Sequence, residues 1–118
     1  MAKILVVDDS RTSRKFLRTI LEEGQHKIVG EAKNGLEAIE KYKELHPDLT
    51  TMDITMPELD GLGALKEIME YDKAAKVIMV TAAGQKNKVV DAIKYGAIDY
   101  VTKPFDPEKI NASIEKSL

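Results

Sequence analysis

Cysteine is absent from this 118-residue chain. That excludes disulfide staples, thiolate zinc sites and cysteine nucleophiles together. No apolar run approaches membrane-spanning length and the N-terminus has no signal-peptide pattern, so a cytoplasmic protein with no membrane partner is expected. The formal net charge is only −2, which argues against nucleic acid or an anionic surface as the main partner. Linkers, internal repeats and low-complexity stretches are missing too. A single domain over residues 1–118 follows, and a chain of this size buries roughly 65% of its unfolded surface, enough for a core without staples. Asn111-Ala112-Ser113 fits a glycosylation sequon, but with no export signal the match reads as chance.

What is present is alternation. Short apolar runs occur at "ILVV" (4–7), "KIVGEA" (27–32), "DLTTM" (48–52), "KVIMV" (76–80) and "IDYVT" (98–102). All but the second and third are nearly unbroken, as in strands buried on both faces of a parallel sheet, and the polar Thr pair weakens the third. Amphipathic segments fill the gaps. Phe16, Leu17, Ile20 and Leu21 share one helical face, with Gly24 suited to the stop. Asn34 can cap the second helix while Glu37 reaches back, and Ile39, Tyr42 and Leu45 line its inner side. Asp60 can cap the third, over Leu62, Leu65 and Ile68. The fourth carries Val89, Val90 and Ile93 and ends at Gly96. Asp106 and Pro107 open the fifth, followed by Ile110, Ile114 and Leu118. Five strands alternating with five helices predict a doubly wound α/β fold with a parallel sheet covered on both faces.

In such sheets ligands bind at the carboxyl ends of the strands. The first strand runs into Asp8 and Asp9, the third into Asp53, the fourth into Thr81 and the fifth into Lys103 and Pro104. Each alone has an ordinary structural reading: a helix cap, a turn residue, a solvated charge. Their coincidence at four of five strand ends marks a site. Three carboxylates at close range do not all ionise comfortably without a cation, and an oxygen-only donor set suits Mg²⁺, which keeps water and phosphate oxygens in its shell. His26 and His46 read as surface or loop residues away from this rim, so a histidine-ligated metal is not expected.

Carboxylate, ammonium, hydroxyl and Mg²⁺ together are the parts of a phosphoryl-transfer site, in which an Asp can itself be the nucleophile. A P-loop is lacking, and "GLG" (61–63) opens a helix without following a strand, so those glycines serve a tight helix start. The phosphoryl group therefore comes from a small or protein-bound donor and not from a nucleotide held here.

The blocks "LVVDD", "TMDITMPELDG", "VTAAG" and "YVTKPF" occur in that order and together resemble the receiver domain of bacterial response regulators, over essentially the whole chain from Lys3 to Leu118. The finer resemblance, across "MDITMPELDG" and "ALKEI", is to chemotaxis-type single-domain regulators. The resemblance implies a flavodoxin-like sheet of order 2-1-3-4-5 and phosphorylation of Asp53 by a histidine kinase. It implies that Asp9, Asp53 and the backbone carbonyl of Thr55 bind Mg²⁺, with Asp8 contributing through water. Thr81 would contact the phosphoryl group, Lys103 would pair with it, and Tyr100 would be the aromatic switch partner of Thr81. Thr55 and Ala83 flank the site and would tune hydrolysis. The Lys103–Pro104 peptide is expected to be cis, and the chain to be a monomer acting on a protein target such as a flagellar motor switch protein through a fourth-helix, fifth-strand and fifth-helix surface.

Other readings remain beside this one. The chain could be the receiver fragment of a longer regulator or a phosphorelay intermediate, although no DNA-binding output follows Leu118. A phosphatase with an Asp nucleophile of the haloacid-dehalogenase kind would carry Asp-x-Asp after the first strand, where here the carboxylates are adjacent. A flavin or nucleotide binder would want a phosphate loop there, and "DDSRTSR" offers negative charge. Arg11, Arg14, Lys15 and Arg18 form a basic stripe on the first helix, read as a solvated face in preference to a docking surface for an acidic phosphodonor.

Overall fold

A computed structural model describes residues 1–118. The elements are β1 (Lys3–Val7), α1 (Arg11–Glu23), β2 (Lys27–Ala32), α2 (Gly35–Leu45), β3 (Leu49–Asp53), α3 (Gly61–Tyr71), β4 (Val77–Thr81), α4 (Lys86–Lys94), β5 (Asp99–Thr102) and α5 (Pro107–Ser117). The strands form one parallel sheet in the order β2-β1-β3-β4-β5, as the resemblance implied. Alternation along the strands divides the apolar side chains between two cores. Leu5, Val7, Met52, Val77 and Met79 meet α2, α3 and α4 on one face. Ile4, Val6, Leu49 and Ile78 meet Leu17, Ile20 and Leu21 of α1 and Ile110 and Ile114 of α5 on the other.

β3 and β4 each run one residue further than the apolar pattern predicts, taking in Asp53 and Thr81. The ladder continues past them: Ile54 N–H donates to Val80 O at 3.1 Å and Lys103 N–H to Thr81 O at 2.8 Å. The Thr pair does not weaken β3. Every residue of that strand is buried, and the hydroxyls of Thr50 and Thr51 have no hydrogen-bond partner. The caps form where expected, with Asn34, Asp60 and Asp106 accepting from Glu37, Gly63 and Glu108 N–H. Glu37 reaches back to Lys33 N–H at 3.1 Å.

Several expectations fail, most of them in how far the helices and the last strand are covered. Phe16 is exposed and tilts against Phe105, with ring centroids 6.1 Å apart. Val90, Ile93 and Leu118 are exposed although they repeat at helical spacing. β5 is an edge strand with alternate residues open to solvent, and not a strand buried on both faces. His26 is in a loop but buried, accepting Ala2 N–H at Nδ1, whereas exposed His46 takes the left-handed position after α2. Past Gly24 the left-handed residue is Gln25, at φ 68°.

Candidate functional site

Asp8, Asp9, Asp53 and Lys103 meet at the carboxyl ends of the strands, and Thr81 ends the neighbouring β4. Carboxylate oxygens of Asp8, Asp9 and Asp53 lie within 4.8 Å of one another. They are not equivalent. Asp8 and Asp53 are buried and Asp9 is exposed. Asp8 accepts Ser10 N–H at 2.8 Å through Oδ1, and its Oδ2 lies 2.9 Å from Lys103 Nζ. Lys103 Nζ is 3.6 Å from Asp53 Oδ2. The Lys103–Pro104 peptide is cis.

Burial pushes the Asp53 carboxyl up to about 6, with the negative charges of Asp8 and Asp9 adding to the effect and Lys103 opposing it. Near neutral pH the group is therefore mostly ionised, but at an energetic cost that a cation would relieve. Burial works to lower the Lys103 pKa, yet its hydrogen bond to Asp8 and the charges of Asp53 and Asp8 outweigh that, and the net direction is upward. A hard, oxygen-seeking cation fits this donor set, with two carboxylates at strand ends and a third open to solvent.

The loop after Asp53 is held by close backbone approaches. Gly61 N–H donates to Ile54 O at 2.7 Å, and a Cβ on Gly61 would run into the Asp53 carbonyl oxygen. Gly35 N–H donates to Leu59 O at 2.8 Å. The glycine at the start of α3 thus lets the helix begin directly against the backbone of the phosphoacceptor candidate.

Thr81 is buried at the end of β4. Its hydroxyl proton lies between Ala82 O at 3.1 Å and Gln85 Oε1 at 3.0 Å. Tyr100 pairs in register with Met79 as Thr102 does with Thr81, so Tyr100 and Thr81 face the same side of the sheet. The Tyr100 ring points outward and is 47% exposed. A groove of about 330 Å³ lies between them, lined by Thr81, Ala83, Gln85, Val89 and Tyr100 among others. Space beside Ala82 and Ala83 is open while the Thr81 hydroxyl faces Gln85.

Two participants escaped the sequence. Arg14 is mostly buried, donating to the Asp8 carbonyl at 2.7 Å and pairing with Glu31 at 3.0 Å, while Arg18 pairs with Glu31 and Glu22. Arg14 alone is therefore tied to both β2 and the back of the acidic pair, while Arg11, Lys15 and Arg18 are exposed and fit the solvated reading. Gln85 joins Thr81 to the far side of the site, a role that nothing in "TAAGQ" announces.

Residues 4–115 match the response regulator receiver domain. The chain is 50% identical to the chemotaxis protein CheY of Listeria monocytogenes over 117 residues, 99% of this chain and 98% of that protein. It is 48% identical to the CheY of Thermotoga maritima over 114 residues, 97% of this chain and 95% of the relative. Among solved structures it is similar to the CheX–CheY–BeF3–Mg²⁺ complex from Borrelia burgdorferi, at a TM-score of 0.93 and 39% identity, covering 97% of this chain and 87% of that one.

Proposed function

This chain belongs to the response regulator receiver domain family, and we propose that it is a phosphorylation-switched binding module of chemotaxis, with residues 1–118 as one receiver unit and Asp53 as the phosphoacceptor. The observation that carries this reading is the setting of Asp53: buried at a strand end, held up to about 6, and flanked by Asp8, Asp9 and Lys103. A relative solved with BeF3 and Mg²⁺ supports it, since BeF3 is a phosphoryl mimic.

In the forward step an Asp53 carboxylate oxygen attacks phosphorus of a histidine kinase phosphohistidine. The P–N bond breaks, the imidazole leaves with its electron pair, and an acyl phosphate remains. Lys103, already held between Asp8 and Asp53, pairs with the added negative charge. Thr81 donates its hydroxyl proton to a phosphoryl oxygen. Asp8, Asp9, Asp53 and the Thr55 backbone carbonyl would hold Mg²⁺, which when bound neutralises charge on the phosphoryl oxygens. The chain turns over no separate substrate. Water later attacks phosphorus, releasing phosphate and restoring the carboxylate, with Thr55 and Ala83 flanking its approach.

The output is a protein target, such as a flagellar motor switch protein, on the α4–β5–α5 face. That face leaves Val90, Ile93, Ile98 and Tyr100 exposed in a domain whose other large apolar side chains are mostly covered. Incubation with acetyl phosphate and Mg²⁺ tests the reading. One phosphoryl adduct on Asp53, lost in Asp53→Asn with the fold retained, is expected; an adduct on another Asp refutes the assignment.

A further inference from the structure

The hydroxyl of Thr81 has work to do in the phosphorylated state, yet it is already engaged. Gln85 Oε1 accepts from Thr81 Oγ1 at 3.0 Å and from Ala82 N–H at 3.0 Å. Because a backbone N–H can only donate, the Ala82 bond fixes which end of the carboxamide points inward. The other end, Nε2, donates to Thr55 Oγ1 at 2.6 Å, in the loop after Asp53. Gly84, at φ +88° with open space around it, makes the turn that brings Gln85 back over Ala82.

Gln85 is also the first residue of the α4 boundary. Its backbone carbonyl accepts Lys88 N–H at 3.0 Å and Val89 N–H at 3.1 Å. Its side chain makes no capping bond, so α4 starts without the side-chain acceptor that α1, α2, α3 and α5 all have. The cap is forgone while the carboxamide is spent on Thr81, Ala82 and Thr55.

We propose that Gln85 is a latch. Its carboxamide oxygen occupies two donors at the end of β4, the strand next to that of Asp53: the Thr81 hydroxyl, which a phosphoryl group would draw on, and the Ala82 N–H beside it; its amide nitrogen ties both to Thr55. Phosphoryl oxygens compete with the carboxamide for Thr81 and Ala82. When they win, Gln85 is released, and the first turn of α4 is released with it. The residue is a positioning residue: it sets how strongly the resting state resists the phosphorylated one, and it hands the change to α4 through its own backbone. This deepens the phosphoacceptor reading of Asp53 and rests on it.

The experiment titrates beryllium trifluoride with saturating Mg²⁺ into the wild type, Gln85→Ala and Thr55→Val, followed by backbone amide chemical shifts, with urea midpoints measured in parallel. Removing a competitor for two hydrogen bonds should tighten analogue binding by roughly fivefold to tenfold in Gln85→Ala. Thr55→Val, which cuts the other end of the latch, should move it the same way by less. In analogue-free Gln85→Ala the Val89 amide should already sit part-way toward its bound position. A residue that only supports the fold would lower the urea midpoint and leave the affinity and the Val89 position unchanged. Affinity equal to or weaker than wild type in both variants overturns the latch alone. Failure of the wild type to bind the analogue overturns the phosphoacceptor reading, and the latch with it.

Discussion

Lys103 sits closer to Asp8 than to Asp53: its Nζ is 2.9 Å from the first carboxylate and 3.6 Å from the second. Its charge acts on two of the three close carboxylates that would hold a metal ion. Lysine and metal therefore compete for the same negative charge. Lys103→Met should raise Mg²⁺ affinity by roughly tenfold, about 1.4 kcal/mol, because it removes a nearby positive charge whose repulsion of the ion is partly screened by solvent. The same variant should lose roughly 2 kcal/mol of metal-free stability, since Asp8 is then left buried without its partner, and should accept phosphoryl groups more slowly. Calorimetric titration of Mg²⁺ checks the first effect. Unchanged or weaker binding would show that the two cations do not compete.

The two adjacent carboxylates should respond differently to removal. Asp8 is buried with Ser10 N–H and Lys103 as partners, so Asp8→Ala should destabilise the metal-free protein by about 1–3 kcal/mol. Asp9 is exposed and adds negative charge beside Asp53, so Asp9→Ala should be neutral or slightly stabilising without metal. With Mg²⁺ at about ten times its dissociation constant the wild type should gain about 1.4 kcal/mol, roughly 5 °C in melting temperature. Asp9→Ala should lose that gain. Melting curves with and without Mg²⁺ decide it: equal losses in both conditions would make Asp9 a purely structural residue.

Asp53 makes stability depend on pH in a particular sense. Its folded-state pKa, about 6, lies above the ordinary 3.8. Between these values the folded state holds a proton that the unfolded state has released. The stabilisation is complete below the unfolded value and is lost as pH rises through about 6. Metal-free wild type should thus lose on the order of 1–2 kcal/mol relative to Asp53→Asn between pH 4 and pH 7, after allowance for solvent screening. Urea midpoints across that range measure the difference. Parallel profiles for the two proteins would mean that Asp53 titrates normally.

The rim was legible because strand ends are marked by a sharp change in chemistry: "ILVV" gives way to Asp8 and Asp9, and "VIMV" to Thr81. What covers the helices was not. Helical periodicity shows which residues share a face but not how wide a stripe the neighbours cover, so Val90 and Ile93 look like Val89, and Phe16 like Leu17. The apolar run of β5 reads as a doubly buried strand because composition does not separate an edge strand, half open to solvent, from a central one. Gln85 was invisible for a different reason. A glutamine reaches Thr81, Ala82 and Thr55 at once only after Gly84 turns the chain back, and that turn is a tertiary event.

Thr51 offers a test of the core itself. Its hydroxyl is buried between Val6 and Ile78 with no hydrogen-bond partner. Valine has nearly the same shape without the polar atom. Thr51→Val should stabilise the fold by about 1 kcal/mol, the cost of leaving such a group unsatisfied. A lower urea midpoint would reveal a partner for the hydroxyl.

The path from Asp53 to the output face should run through Thr81 and Tyr100. They share a face of the sheet, and the groove of about 330 Å³ between them is already open. The resting hydroxyl of Thr81 points its proton at Ala82 O and Gln85, on the groove side of the strand end. Phosphorylation adds acceptor oxygens that draw it toward Asp53. The ring can then settle over the place it left, and inward and outward rotamers are the two states such a switch requires. Thr81→Ala should still form the Asp53 adduct, because the nucleophile and its cations are untouched. It should bind the target no better after phosphorylation than before. Amide shifts on BeF3 addition should then appear near Asp53 but not along α4 or at Tyr100. If α4 responds equally with and without the Thr81 hydroxyl, the signal leaves the site by another route.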